Sequence, residues 1–426
     1  MSERKATTLA PGLKGFPPDL ASVSSAEVGG LGWHVLDGRL PLPLAVLKRT
    51  ALEHNIDWMQ RFVRERGVDL APHCKATMAP EIFVRQLDAG AWGLTFTYVT
   101  QLVVGVAAGA RRTLIANQVF SDGDLAAIQA LRRAHPDLRV VFLVDSMAQL
   151  ALIEAWFAAH PGSLPFEAML EIGLPGGRGG CRTREDAMRL ARALHASEAV
   201  DLVGIECYEG LGAKGVTELD AAYTTALMDR VDAIARCCDA EGLFDADEVL
   251  VSAGGSSIFD LVVARLRPRL GRPVRGLLRA GGYVVSDHGH NRRMVAAMQA
   301  RTGLRDALRP ALEIWTQVLS RPEPGLAILA LGRRDVSFHI DMPIPFARAP
   351  RGATVPRPVP SSWKISALND QHGYLRWDAA HEDVAPVVGE RVGVGVSQPG
   401  VTFNKWHWMP VVEDDYRVSD AVTMHF

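Results

Sequence analysis

The sequence predicts an α/β fold, a (β/α)8 TIM-type barrel with a smaller, mostly β C-terminal domain. Three observations carry that expectation. Near-continuous apolar, β-prone runs recur through the first 290 residues, as parallel strands covered on both faces should. Amphipathic helical patterns fill the gaps between them. Beyond residue 290 the alternation stops, and strand-like runs follow one another across Pro- and Gly-rich turns.

Residues 1–41 are rich in Gly, Pro and Ser without a clear period, and are expected to form an arm that packs late or stays loose. The strand-like runs are Leu42–Leu47, Val68–Ala71, Trp92–Phe96, Thr113–Ala116, Val140–Val144, Ala168–Ile172, Leu202–Cys207 and Val249–Ala253. A ninth, Leu277–Val285, is interrupted by Gly281-Gly282. Between them, Leu52, Ile56, Met59, Phe62 and Val63 make one helical apolar face ahead of Gly67. Leu125, Ile128 and Leu131 make another, and Leu227, Val231 and Ile234 a third. Thr183 with Asp186 resembles a capping box in front of Ala187, Leu190, Ala191 and Leu194. Eight or nine such units over roughly 240 residues fit a closed barrel, residues 42–290, better than an open doubly wound sheet. In residues 291–426, the span 292–319 is helix-prone. Leu326–Leu331, Val336–Ile340, Val387–Val396 and Met409–Val412 read as strands, and Arg348–Pro360 as a turn region.

Composition excludes several classes of function. The chain is 48% hydrophobic and 22% charged, ordinary for a globular protein, and its formal net charge is −2. With 46 basic against 48 acidic residues, no field favours nucleic acid or an anionic membrane. No apolar run approaches a membrane span, and the start, MSERKATTLAPGLKGFPPDL, has no signal-peptide h-region, so neither leader nor anchor is expected. The five cysteines are an odd number without a CxxC pair, which argues against a disulfide framework and a cysteine-rich zinc site. A cytoplasmic location is the default.

Chemistry in a βα barrel gathers where strands end. Lys75 follows the Val68 run, inside Pro72-His73-Cys74-Lys75-Ala76-Thr77. Burying an ammonium is costly unless it is paired or neutralised, and a desolvated lysine is a better amine nucleophile that can hold a carbonyl cofactor covalently. The bland alternative is a lysine whose stem packs while its amine snorkels to the surface. Asn117-Gln118 ends the Thr113 run, the loop Gly173–Arg182 follows the Ala168 run, and Glu206, Tyr208 and Glu209 close the Leu202 run. Ser252-Ala253-Gly254-Gly255-Ser256-Ser257 ends the Val249 run and opens a helix. Glycines that let backbone approach a ligand, followed by a helix N-terminus, make a phosphate seat; a plain tight turn is the alternative. Arg279-Ala280-Gly281-Gly282-Tyr283 supplies a second wall. An imine-forming lysine, a phosphate seat, an arginine and a tyrosine together point to pyridoxal phosphate.

These motifs resemble the D-serine dehydratase and D-threonine aldolase branch of the alanine-racemase-like (fold type III) pyridoxal phosphate enzymes. The likeness rests on Pro72–Thr77, Gln86–Ala91, Ile115–Gln118, Pro175-Gly176-Gly177-Arg178, Gly204–Gly210, Ser252–Ser256, Asn369-Asp370-Gln371-His372-Gly373 and Phe403-Asn404-Lys405-Trp406. It implies that Lys75 carries the cofactor as a Schiff base and moves the Cα proton. It places Arg178 at the phenolic oxygen, Tyr208 near the pyridine nitrogen, and Gly254, Gly255, Ser256, Gly282 and Tyr283 at the phosphate. It also implies a homodimer, a small amino acid substrate, and a Leu42–Leu47 run that joins the second domain while the Leu277 strand closes the barrel.

The chain departs from that pattern in Val396-Ser397-Gln398-Pro399-Gly400, where many members of the branch hold a zinc or manganese ion. Gln398 and Gly400 stand at the ligand positions. Glycine brings no ligand atom in a side chain, and a neutral amide replaces imidazole poorly, so no catalytic metal is expected. The metal's task in such relatives is to act on the substrate's β-hydroxyl. Without it, His372 is the residue expected to help that hydroxyl leave, with a structural histidine as the alternative. Three functions follow: a lyase of a D-configured β-hydroxy amino acid, acting as dehydratase or aldolase; a metal-free racemase or epimerase; and, remotely, a non-catalytic cofactor carrier.

Overall fold

The structure is a computed structural model that describes residues 6–426. After the arm come β1 (Leu44–Lys48), β2 (Asp69–Leu70), β3 (Leu94–Phe96), β4 (Arg112–Gln118), β5 (Arg139–Val144), β6 (Phe166–Ile172), β7 (Val200–Tyr208), β8 (Val249–Gly254) and β9 (Val274–Leu278). Strands β2 to β9 form one parallel sheet in the order β2-β9-β8-β7-β6-β5-β4-β3. Its two ends meet. Trp92 N–H donates to Leu70 O at 2.8 Å, Thr95 N–H donates to Pro72 O at 2.8 Å, and His73 bridges Thr95 in parallel. The eight strands therefore close into a TIM-type barrel. The Leu277 run does close it against β2, and its later part leaves the strand as a short 3-10 turn, Gly282–Val284.

Side chains alternate along a strand, so every second residue points inward. Ala71, Trp92, Leu114, Val141, Leu143, Met169, Val203, Leu250 and Leu277 fill the barrel interior as a separate apolar cluster. The residues between them, such as Val140, Phe142 and Val144 on β5, join the main core beneath the helices. Helix Arg49–Arg64 buries Leu52, Ile56, Met59, Phe62 and Val63 as its spacing predicts. Thr183 Oγ1 accepts from Asp186 N–H at 3.0 Å and starts helix Arg184–His195.

The C-terminal region is a second, antiparallel-rich sheet. It contains β10 (Leu312–Glu323), β11 (Leu326–Leu329), β12 (Ile344–Ala349), β13 (Lys364–Leu368), β14 (Gly373–Arg376), β15 (Arg391–Gly395), β16 (Trp408–Val412) and β17 (Val418–Thr423). Strand β1 pairs antiparallel with β10 and parallel with β16, so it belongs to this sheet and not to the barrel. Two expectations are corrected. Helix ends at Thr302, and residues 312–323 are strand β10. Ile314, Trp315, Thr316 and Val318 favour strand, and β1 and β15 pair along both of its edges. Val336–Ile340 is not a strand. There Ser337 N–H donates to Thr402 Oγ1 at 3.0 Å and Ser337 Oγ to Ser397 O at 2.9 Å, so side chains replace ladder partners.

The arm packs. Phe16, Trp33 and Trp408 form an edge-to-face ring cluster with centroids 5.8–6.2 Å apart, and Trp408 Nε1 donates to Lys14 O at 3.1 Å. Among the described residues no helix is long and apolar enough to cross a membrane.

Candidate active site

The inward register of the barrel continues past its apolar filling into a polar layer. Two residues toward the rim, Ala71 gives way to His73, Met169 to Glu171, Leu250 to Ser252 and Leu277 to Arg279; four residues on from Leu114 stands Gln118. These side chains meet. Arg279 Nε donates to Ser252 Oγ at 2.8 Å, its Nη2 donates to Cys207 O at 3.0 Å, and the same nitrogen is ion-paired with Glu206. Gln118 Nε2 donates to Glu171. Burial pushes Glu206 up to about 7 against the pull of Arg279. Burial also raises Glu171, with the Gln118 bond opposing it.

Above this layer the chain turns sharply at Cys74–Ala76 and presents Lys75. Its ammonium has no hydrogen-bond or ion-pair partner among the described residues. The side chain is open to water through the barrel mouth yet walled by protein. Burial first, then the charges of Arg178 and Arg279, lower its pKa. A larger neutral fraction at a given pH is what an amine nucleophile needs. Beneath it, burial and the Lys75 charge hold His73 well below the usual imidazole range, and its Nδ1 is buried without a partner.

Arg178 lies on the glycine-rich loop after β6, and its guanidinium sits 4.5 Å from the Tyr208 ring centroid. Arg182 pins that loop by donating to the carbonyls of Gly177 at 2.8 Å, Arg178 at 2.9 Å and Gly180 at 2.8 Å. Gly180, at φ +89°, donates its N–H to Asp145 Oδ2 at 3.0 Å. Burial, and then Glu209, raise the Tyr208 phenol, which keeps it neutral.

Ser256 ties the two glycine turns together. Its Oγ accepts from Gly281 N–H at 3.2 Å and from Gly282 N–H at 3.0 Å. The glycines of the β8 turn have a second use beyond close approach. A Cβ on Gly254 would lie 2.9 Å from Arg279 Cζ, and one on Gly255 would lie 2.3 Å from Glu209 Oε1. The helix that follows, Phe259–Val263, has five residues and starts late, so the turn presents loop backbone and not a helix N-terminus. Tyr283 is buried, and its hydroxyl accepts from Gln86 Nε2 at 2.9 Å. Its ring therefore turns into the core, leaving only its main chain beside Gly282.

His372 sits exposed on the turn between β13 and β14, and its side chain makes no hydrogen bond or ion pair among the described residues. The Gln398 region, by contrast, borders the lysine turn. A Cβ on Gly400 would lie 3.7 Å from Ala76 Cα. Gln398 N–H donates to Asp287 Oδ2 at 2.9 Å, and its Oε1 contacts His339 Nε2. Gln398 is held at φ +56°, a left-handed conformation unfavourable for a residue with a Cβ. No group of three or more His, Cys, Asp or Glu among the described residues is arranged to hold a metal ion.

The sequence marked Glu206 and Glu209 as strand-end residues without roles and Arg279 only as a wall of the phosphate seat, and His73, Glu171 and His339 were given no role. The two-residue step from apolar filling to polar layer is the signal that finds His73 and Glu171.

A closed parallel barrel joined to an antiparallel-rich sheet, with a solitary amine at the barrel mouth, is the architecture of a class of barrel enzymes. The family model described as the alanine racemase N-terminal domain matches residues 47–268, and that of a putative serine dehydratase domain matches residues 311–412. The chain belongs to the alanine racemase-like family and carries the C-terminal domain of its serine dehydratase branch. It is 26% identical over 378 residues to the D-threonine aldolase of Arthrobacter sp., covering 88% of this chain and 90% of that one. A D-threo-3-hydroxyaspartate dehydratase of Delftia sp. (strain HT23) is 33% identical over 158 residues, 37% of this chain and 40% of that one. In fold, the D-threonine aldolase of Filomicrobium marinum superposes with a TM-score of 0.77 at 23% identity, covering 92% of this chain and 97% of that one.

Proposed function

We propose that the protein is a pyridoxal 5'-phosphate-dependent lyase acting on a D-configured β-hydroxy amino acid, as a dehydratase or an aldolase. The observation that carries this is the unpaired, pKa-lowered Lys75 amine at the mouth of the barrel, beside Arg178 and Arg279. The named activities of the Arthrobacter and Delftia relatives support it over a racemase.

The residues present fit the cofactor. Lys75 has no competing partner, and the Gly254–Ser256 and Gly281–Gly282 turns converge through one hydroxyl on a small polar cradle. Lys75 would hold the carbonyl carbon. The main chains of Gly254, Gly255, Gly282 and Tyr283 with Ser256 would hold the phosphate, while Arg178 and Tyr208 flank the ring. When bound, the cofactor delocalises the electron pair left at the substrate's Cα. The protein's own groups do the rest. Lys75 moves the Cα proton, the neutral Tyr208 adds no negative charge beside the ring, and Arg178 offers a cation to the ring oxygen and the substrate carboxylate.

The β-hydroxyl is served by side chains and not by a metal, because Gln398 and Gly400 bring no strong ligand. Within one chain the candidate is His339, in contact with Gln398, which stands two residues before the Gly400 that borders the lysine turn. We assign His372, exposed on the turn between β13 and β14, to the mouth of a second copy in a homodimer. The division into arm (1–41), barrel (42–290) and C-terminal domain (291–426) is retained, with β1 exchanged into the last. Five free cysteines fit a reducing cytoplasm.

The test is an absorbance spectrum of the protein loaded with pyridoxal 5'-phosphate, followed by product analysis on D-threonine, D-serine and D-3-hydroxyaspartate. A protonated Schiff-base band near about 410–420 nm, lost in Lys75→Ala, is expected, together with an aldehyde plus glycine, or a keto acid plus ammonia. Inversion at Cα without breakdown would favour the racemase.

A further inference from the structure

Glu209 is the most conspicuous buried group that this mechanism leaves unused. It is fully buried directly after β7, and neither carboxyl oxygen has a hydrogen-bond partner. Its Oε1 occupies the space a Gly255 side chain would fill, so the acid lies against the underside of the turn assigned to the phosphate. The peptide N–H groups of Glu209 itself and of Gly254 are near, but neither aims well enough to bond it. The charged and titratable groups facing it do not supply a counter-ion. Glu206 and Tyr208 come from its own strand, and Tyr223 comes from helix Thr217–Ala240. Arg279 comes from the end of β9 and is already paired with Glu206. Burial pushes the acid up to about 8, with Glu206 adding to the rise, against the weaker pull of the nearby peptide N–H groups and of Arg279.

A carboxylate and a phosphate dianion on two sides of one glycine turn would repel each other with little water to screen them. We propose that Glu209 closes the underside of the anion seat as an uncharged carboxylic acid, so that a phosphate ester binds above Gly254–Gly255 only while Glu209 keeps its proton. This rests on the assignment of that turn to the cofactor's phosphate. Its consequence is proton-linked binding: affinity is full in neutral solution and falls as the pH rises through the titration of Glu209, because the bound anion holds the proton more tightly than the free site does.

The probe is pyridoxine 5'-phosphate, which keeps ring and phosphate but has no aldehyde, so covalent chemistry at Lys75 does not enter. Its dissociation constant is measured by calorimetry on the full chain as wild type, Glu209→Gln and Lys75→Ala. From about pH 7 to about pH 9.5 the constant is expected to rise about tenfold or more in wild type and in Lys75→Ala, and to stay within about threefold in Glu209→Gln. In two buffers of different ionisation enthalpy at about pH 9, wild type and Lys75→Ala are each expected to take up close to one proton per ligand bound, and Glu209→Gln close to none. A flat wild-type profile, no proton uptake, a slope that survives in Glu209→Gln, or one that vanishes only in Lys75→Ala overturns the proposal while leaving the cofactor assignment standing. Failure of wild type to bind the probe at any pH overturns that assignment as well.

Discussion

The Arg279 guanidinium is ion-paired with the Glu206 carboxylate inside the barrel, their side chains 3% and 1% exposed. Removing one partner strands the other. Arg279→Met is expected to cost about 3–5 kcal/mol, the typical penalty of an uncompensated buried charge, read by denaturant unfolding at about pH 9, above the titration of Glu206. Restoring neutrality with Glu206→Gln in the same chain should recover much of it. A loss below about 1 kcal/mol would mean that Glu206 is already protonated in the fold.

Arg178 acts on Lys75 through its charge, second only to burial in lowering the amine. Arg178→Met is expected to raise the pKa of Lys75, so that reductive methylation of that lysine gains speed at a higher pH than in wild type. Since Arg178 also covers Tyr208, an Arg178→Lys variant separates charge from stacking: it keeps the wild-type profile if charge is the cause.

Handling of the β-hydroxyl is separable from handling of the Cα proton. His339→Asn and His372→Asn are each expected to lower product formation by about tenfold to a hundredfold while solvent deuterium still enters Cα of the substrate. Measuring both rates on one sample decides it. Loss of exchange in step with breakdown would mean that these histidines only support the fold, and an unaffected His372→Asn enzyme would remove the partner subunit from the chemistry.

Glu209 also ties stability to pH. Its pKa is raised from an ordinary carboxylic value to about 8, so the fold binds its proton more tightly than the unfolded chain does. That contribution is complete below the unfolded pKa and is lost as the pH rises through the folded one, in the limit about 5 kcal/mol. Glu209→Gln is therefore expected to unfold at higher denaturant than wild type at about pH 8.5, and to differ little at about pH 4.5. Equal shifts at both pH values would show that the side chain contributes through packing alone.

The repeating units and the residues at their ends are legible in the chain alone. Near-continuous runs such as Val140–Val144 can be buried on both faces only in a covered parallel sheet, and Lys75 and the Gly254-Gly255 turn are local features. Which of those ends touch follows from the three-dimensional packing. Arg279 meets Glu206 and Ser252 because β7, β8 and β9 are neighbours in register, though the residues are up to 73 positions apart. Residues 312–319 follow a helix-prone stretch, and β1 and β15, offering ladder partners on both edges, draw their β-branched and aromatic residues into a strand. Tyr283 looked like a wall of the phosphate seat until Gln86, on another helix, claimed its hydroxyl. Local patterns record backbone preference and burial; the direction a polar side chain takes depends on partners that the chain order does not place beside it.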